Sequence, residues 1–222
     1  PGRAGDGRYY NMRGRDISAS VVPLDDLAVY KLALLATDDV QPIGSGGDIA
    51  AAAFTGWVAY ASPDRAWLRR ARTRMSTGEL VRAHWPRLSI RRLPAPDLRL
   101  RAGWTGDPAS TPRLVADVRA GARGDDGAYA AFLRDSETCL ARLVRALEEG
   151  DDRGVMRRIE QSRRLLLGLS RTSGVVIETP LLGRLVDIAR EHGAAAKGSG
   201  AGGGDCGIAL CPPETDTTAM CA

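Results

Sequence analysis

Two short stretches of the chain carry the residue types that handle phosphate. The first is Gly44-Ser-Gly-Gly-Asp48 and the second is Lys197-Gly-Ser-Gly-Ala-Gly-Gly-Gly-Asp205. Nine of the 26 glycines fall within Gly44 to Gly47 and Gly198 to Gly207, so the glycine excess is local. Glycine reaches φ > 0 and lets a ligand touch bare backbone. A glycine loop feeding a helix presents unpaired N–H groups and a positive dipole end, which suits an anion. For Gly44, Ser45, Gly46 and Gly47 the other reading is a tight turn with Asp48 as helix N-cap. The first stretch is not a Walker loop or a Rossmann fingerprint, because G-x-x-x-x-G-K-[ST] is absent and no strand with G-x-G-x-x-G precedes it. The second loop is too dense in glycine for a simple turn, and it runs straight into the apolar Cys206-Gly-Ile-Ala-Leu210, which a flexible linker would not do. Of 31 basic residues only Lys31 and Lys197 are lysines, and Lys197 borders this loop.

The elements that must position these loops follow from periodicity and punctuation. Leu24 to Thr37 reads as an amphipathic helix with Leu24, Leu27, Ala28, Leu32 and Leu35 on one face. Ile49 to Tyr60, rich in small apolar residues, reads as a buried helix broken by Ser62-Pro63-Asp64. Leu88 to Leu93 reads as a strand, and Pro94-Ala-Pro96 as a domain boundary. Leu98 to Trp104 alternates, predicting a half-buried strand with Leu98, Leu100, Ala102 and Trp104 inward. Ser110 or Thr111 then caps a helix with Pro112 in its first turn, running to Arg119. Further helices are expected at Tyr129 to Glu149, at Arg153 to Ser170, and from the Thr179 cap and Pro180 to Gly193. The glycine loop beginning at Ala194 leads into a short strand near Cys206 to Leu210, and the tail from Pro212 reads as frayed. Strands with helices between them make the fold class α+β.

Composition narrows the function classes. The net charge of +4 is spread along the chain without aromatic interleaving, which argues against a nucleic-acid partner. The longest uncharged apolar run, Ile49 to Ala61, is shorter than the ~20 residues a membrane span needs, and the first fifteen residues do not resemble a signal peptide. Cys139, Cys206, Cys211 and Cys221 form no C-x-x-C pair, and His84 and His192 lie far from them in sequence. That pattern speaks against a zinc site or disulfide framework and for a reducing, cytoplasmic setting.

Pro42-Ile-Gly-Ser-Gly-Gly-Asp-Ile-Ala-Ala51 resembles a phosphate-loop motif of the GHMP kinases, named for galactokinase, homoserine kinase, mevalonate kinase and phosphomevalonate kinase. Lys197 to Ala209 resembles their C-terminal glycine motif. Asp48, Gly-Ala-Gly-Gly-Gly-Asp-Cys-Gly and Gly103-Trp-Thr-Gly-Asp-Pro-Ala-Ser-Thr-Pro112 are similar to the branch that phosphorylates 5-phosphomevalonate. The resemblance covers roughly Leu24 to Leu210. It implies a GHMP kinase-like two-subdomain fold: a partial N-terminal ribosomal-protein-S5-like, ATP-binding domain over residues 1–96, a ferredoxin-like C-terminal domain over residues 97–211, and a tail over 212–222. The family's opening strand, with its Lys and Gly-Glu pair, has no counterpart here, so the chain reads as truncated at its N-terminus and its activity alone is open. Gly198, where relatives commonly carry Ser, is a smaller departure.

The implied reaction is ATP- and Mg²⁺-dependent conversion of 5-phosphomevalonate to 5-diphosphomevalonate, on the mevalonate route to isoprenoids. In that frame Asp48 and Lys197 are the catalytic candidates, and Gly44, Ser45, Gly46 and Gly47 bind the nucleotide. Ser45 and Asp48 are the metal candidates. Ser110, Thr111, Ser199, Gly200, Ala201, Gly202, Gly203, Gly204 and Asp205 contact the substrate, with Asp205 also readable as satisfying loop amides and Ser110 or Thr111 as a helix cap. The alternatives are another small-molecule kinase of the family, such as one acting on mevalonate, or an inactive fragment that at most binds nucleotide.

Overall fold

The computed structural model describes residues 2–3, 9–10, 24–40, 44–106, 114, 116–118, 126–200 and 202–221. These fall into two units, Pro1–Arg92 and Leu93–Ala222. In the first, β1 (Gly2–Arg3) and β2 (Tyr9–Tyr10) pair antiparallel. Helix α1 (Asp26–Val40) follows, opened by Asp25, whose carboxylate accepts from the Ala28 N–H at 2.7 Å. Its buried face is Ala28, Tyr30, Lys31, Leu34 and Leu35. The expected stripe is therefore rotated: Leu24 and Leu27 are exposed, because the Tyr30 ring and the Lys31 stem occupy the interior instead.

Helix α2 (Gly47–Phe54) is shorter than its apolar sequence predicts. Thr55 and Gly56, at φ 55° and 67°, end it, and Trp57–Ala61 forms strand β3 rather than more helix. The Thr-Gly pair in left-handed conformations reverses the chain where composition alone continues a helix. Helices α3 (Arg65–Arg72) and α4 (Thr77–Arg82) follow, the first capped by Asp64 and the second by a Ser76/Glu79 capping box. Strand β4 (Ser89–Leu93) lies beside β3 in a two-stranded sheet. Tyr30, Leu34, Leu68 and Trp85 are the largest buried side chains of this core.

The second unit holds an antiparallel sheet of β5 (Arg99–Trp104), β6 (Ala195–Gly198) and β7 (Cys206–Cys211) in the order β5-β7-β6. Helices α5 (Asp126–Glu149) and α6 (Asp152–Ser173) form a hairpin turned by Gly150 at φ 67°. Helix α7 (Pro180–Glu191) starts at a Thr179 cap, and Gly193 follows it at φ 80°. Residues 114 and 116–118 are helical, within the expected Thr111 to Arg119 helix.

Three expectations need correction here. The apolar face of β5 is exposed, Leu100 at 53% and Trp104 at 68%, because β5 is an edge strand of a three-stranded sheet. Its packing residue is Gly103, which pairs with Gly207 across the ladder. A Cβ on either glycine would stand 2.5 or 2.8 Å from Leu185, so the two form a slot for that side chain. Ala195–Gly198, read as loop, is strand β6, held by its ladder to β7 despite weak β propensity. The tail is also not wholly frayed: Thr217–Cys221 forms a five-residue helix, α8, with the Asp216 carboxylate accepting from the Thr218 and Ala219 N–H groups.

Candidate functional site

Each glycine loop belongs to one unit and is built by its own neighbours. In the first unit, Gly46 is the N-cap of α2 at φ 79° and ψ 11°, with no side-chain cap. Asp48 is therefore not the N-cap; it sits exposed in the first turn, where its charge suits the positive end of the helix dipole. The carbonyls before it are turned into the protein. The Tyr60 hydroxyl donates to the Ser45 oxygen at 2.6 Å, Ser62 Oγ donates to the same oxygen at 3.3 Å, and Arg65 donates to the Gly44 oxygen at 2.6 Å. Arg65 is itself held by Asp38 at 2.8 Å. These bonds tie down the Ser45 and Gly44 carbonyls and leave Ser45 exposed. Ser45 Oγ accepts from the Gly47 N–H at 3.3 Å.

The close approach at Gly46 explains the glycine. A Cβ there would lie 2.7 Å from Leu34 Cδ1, 3.1 Å from Tyr60 Oη and 3.4 Å from Tyr30 Oη. The two tyrosine hydroxyls are hydrogen-bonded at 2.8 Å. Burial, then the bond to Tyr60, push the Tyr30 phenol well above its usual range, so it remains a neutral strut.

Lys31 is also structural. Its ammonium is buried and donates to the Val81 and Ala83 carbonyls at 2.9 and 2.8 Å, 5.6 Å from the centroid of the Trp85 ring. It ties α1 to the end of α4. Burial lowers its pKa.

In the second unit, β6 and β7 flank the second loop. The Ser199 N–H donates to the Cys206 oxygen at 2.9 Å, closing the hairpin. Gly202, Gly203, Gly204 and Asp205 take φ of 88°, 80°, 127° and 65° in succession, a run that glycine alone adopts without cost at the first three positions. Asp205, the non-glycine in this run, is fixed through its carbonyl, which accepts from Thr105 N at 2.9 Å and Thr105 Oγ1 at 2.8 Å. Lys197 is half-buried, and its ammonium donates to the Gly198 oxygen at 2.5 Å. Desolvation lowers its pKa. Burial and the adjacent Asp205 raise that of the Cys206 thiol, which stays protonated near neutrality.

Among the described residues, then, Gly44 to Asp48 form one cluster and Lys197 to Asp205 another. Ser110, Thr111 and Ala201 lie outside the described residues. Sequence reading missed Tyr60 and Arg65, which orient the first loop, and Arg163 and Glu178, which share a small recess with Lys197, Gly198, Gly200 and Gly202. A chain with 29 arginines gives no signal for which one matters, and Tyr60 lay inside the segment read as helix. No group of three or more His, Cys, Asp or Glu is placed to hold a metal among the described residues. No helix there is long and apolar enough to cross a membrane.

Known proteins give this arrangement its family. A sequence model described as GHMP kinases C terminal matches residues 143–220. The chain is 45% identical over 186 residues to the phosphomevalonate kinase of Streptomyces sp. (strain CL190), covering 83% of this chain and 50% of that protein. The Lin0012 protein of Listeria innocua superposes with a TM-score of 0.80 at 37% identity, over 86% of this chain and 54% of that one. Streptococcus pneumoniae phosphomevalonate kinase in complex with phosphomevalonate and AMPPNP superposes with a TM-score of 0.76 at 30% identity, over 90% of this chain and 57% of that one. The chain thus spans about half the length of the relatives it matches. A mixed helix-and-strand architecture, two glycine loops and these matches lead to one conclusion: the chain carries the C-terminal domain of the GHMP kinases.

Proposed function

We propose that these residues serve a phosphomevalonate kinase, which moves the γ-phosphoryl group of ATP onto the phosphate of 5-phosphomevalonate. The observation that carries this reading is the 45% identity to a phosphomevalonate kinase over 186 residues. The AMPPNP and phosphomevalonate held by the S. pneumoniae relative support it.

The chemistry asks for charge neutralisation more than for a base. A phosphate monoester has a second pKa near ~6 and is largely a dianion at neutral pH, so it needs little help to become a nucleophile. It does need to approach an anionic nucleotide, and positioned donors lower that barrier. The loop Gly44, Ser45, Gly46 and Gly47, at the positive end of α2, takes phosphate oxygens. Lys197 and the second loop at Gly200, Ala201, Gly202 and Gly204 take phosphate, Ser199 and Gly203 hold that loop in place through their N–H bonds to the Cys206 and Ile177 oxygens, and the Ser199, Ser110 and Thr111 hydroxyls contact the substrate. Asp205 shapes the loop through its Thr105-bound carbonyl. Asp48 orients the acceptor or holds a cation.

A Mg²⁺ ion fits this donor set, because Mg²⁺ keeps several waters and is bound by one or two carboxylates plus substrate phosphates, not by a dedicated cage. The exposed Asp48 carboxylate and Ser45 hydroxyl would hold it, and it would offset charge on the transferring group. A cytoplasmic setting accords with a sequence that has no C-x-x-C pair among its four cysteines.

The test is coupled ADP release from protein containing this chain, with 5-phosphomevalonate, mevalonate or no acceptor. Mg²⁺-dependent turnover with 5-phosphomevalonate alone is expected. Turnover with mevalonate instead moves the protein to another branch, and saturable ATP binding without turnover makes it a nucleotide-binding fragment.

A further inference from the structure

One peptide carbonyl seats the second glycine loop. The Gly203 N–H donates to the Ile177 oxygen at 2.7 Å. A Cβ on Gly202 would stand 2.2 Å from that oxygen and 2.6 Å from Ile177 Cγ2. Where the Ile177 oxygen lies therefore sets where Gly202 and Gly203 lie. Yet Ile177 belongs to the link between α6 and α7, a stretch with no helix or strand of its own.

Two side chains of α6 reach across to hold that link. Ser170 Oγ donates to the Val175 oxygen at 2.5 Å and accepts from the Ile177 N–H at 3.4 Å. Two turns earlier, Arg163 Nε and Nη2 donate to the two oxygens of Glu178, each at 2.7 Å. The pair is largely out of water, Arg163 at 16% and Glu178 at 13% exposure. Room for the carboxylate comes from Gly183 of α7, where a Cβ would already be 3.4 Å from Glu178 Oε1. Exposed ion pairs contribute little, but a bidentate fork in a sheltered site fixes direction as well as distance. Joining the helices does not require it, since α6 has its own left-handed Gly174 cap and α7 its Thr179 cap.

We propose that Arg163 and Glu178 are positioning residues for the second glycine loop. Their fork fixes the peptide of Ile177 and Glu178, the Ile177 carbonyl seats Gly202 and Gly203, and the loop amides thereby face phosphate. The first two steps stand on the geometry of this unit; the last rests on the phosphoryl-transfer reading above.

Hydrogen exchange on peptides covering Gly202 and Gly203, read by mass spectrometry, tests the first part. In Glu178→Gln and Arg163→Lys, exchange there is expected to rise about tenfold or more, while α5 exchanges as before. The double variant Arg163→Met/Glu178→Met replaces the pair with apolar groups of similar reach, keeps the unit folded, and should show the same rise. Unchanged exchange in a folded variant overturns the proposal. With 5-phosphomevalonate as substrate, kcat/KM should fall about tenfold or more, chiefly through KM. A rise in exchange with unaltered kinetics overturns the link to phosphate. Should the parent protein not turn over 5-phosphomevalonate at all while exchange still rises in the variants, the kinase reading fails and the positioning role stands.

Discussion

Replacing Gly46 by alanine should destabilise the first unit by about 2–5 kcal/mol, in two separable parts. The left-handed φ of 79° costs an alanine roughly 1–2 kcal/mol. The new Cβ would also stand 2.7 Å from Leu34 Cδ1 and 3.1 Å from Tyr60 Oη. Overpacking of that kind costs about 1–3 kcal/mol. The neighbouring Gly47→Ala is the control: its Cβ meets Ser45 Oγ at 3.6 Å and Tyr60 at 3.7 Å, ordinary contacts, and it lies at the first helical position. That change should be neutral or stabilising by up to about 1 kcal/mol. The clash with Leu34 can be isolated in a Leu34→Val background, which removes that methyl; there Gly46→Ala should cost less than in the parent, keeping the backbone part of about 1–2 kcal/mol and the tight approach to Tyr60 Oη. Urea unfolding followed by tryptophan fluorescence reads this unit well, because Trp85 is buried at 1% exposure while Trp104 of the other unit is already 68% exposed. A Gly46→Ala cost below about 1 kcal/mol, or an equal cost in both backgrounds, would refute the close-approach argument.

Other expectations follow from the same contacts. Lys31→Met strands the Val81 and Ala83 carbonyls and should cost about 2–4 kcal/mol by urea unfolding; Lys31→Arg, whose planar fork does not converge on two carbonyls as a compact ammonium does, should restore less than half. Asp48→Asn should lower turnover by about a hundredfold or more while costing no more than the ~0.3–1 kcal/mol of its helix-dipole interaction, since Asp48 is exposed and caps nothing; a larger loss of stability with intact turnover would assign it to structure. Lys197 is held below its unfolded pKa of about 10.4, so between the two values the unfolded chain binds the proton and the folded chain does not, and stability rises with pH across that window. Lys197→Met should flatten that rise in melts between pH 8 and 10.5, and parallel curves for parent and variant would show that burial is not what lowers it.

What the sequence made legible was local. Thr179, Pro180 and Gly193 bracket α7 because a cap, a fixed φ and a left-handed exit each act within a turn. Both glycine loops were visible for the same reason. Strand β3 was not, because Ala-Ala-Ala-Ala-Phe and Trp-Val-Ala-Tyr are alike in hydropathy, and only the backbone reversal at Thr55 and Gly56 separates them. Strand β6 owes its form to partners in β7, nine to fifteen positions away, and no local preference of Ala-Ala-Lys-Gly announces it. Exposure of Leu100 and Trp104 depends on β5 being an edge, a property of sheet order rather than of alternation. In the candidate site, the types of Ser45, Asp48 and Lys197 stood out, but the groups that aim them did not: Tyr60 lies 15 positions from Ser45, and Arg163 lies 15 from Glu178.

The buried ammonium of Lys31 bears on how this sequence is free to vary. A chain that uses arginine for 29 of 31 basic positions places a guanidinium at nearly every basic site. At Lys31 the site decides: two carbonyls two residues apart converge on one point above an indole ring, a geometry for a single compact donor. Arginine enrichment therefore stops where hydrogen-bond geometry, and not charge, is the requirement, and a surviving lysine in such a chain marks a position worth inspecting for buried acceptors.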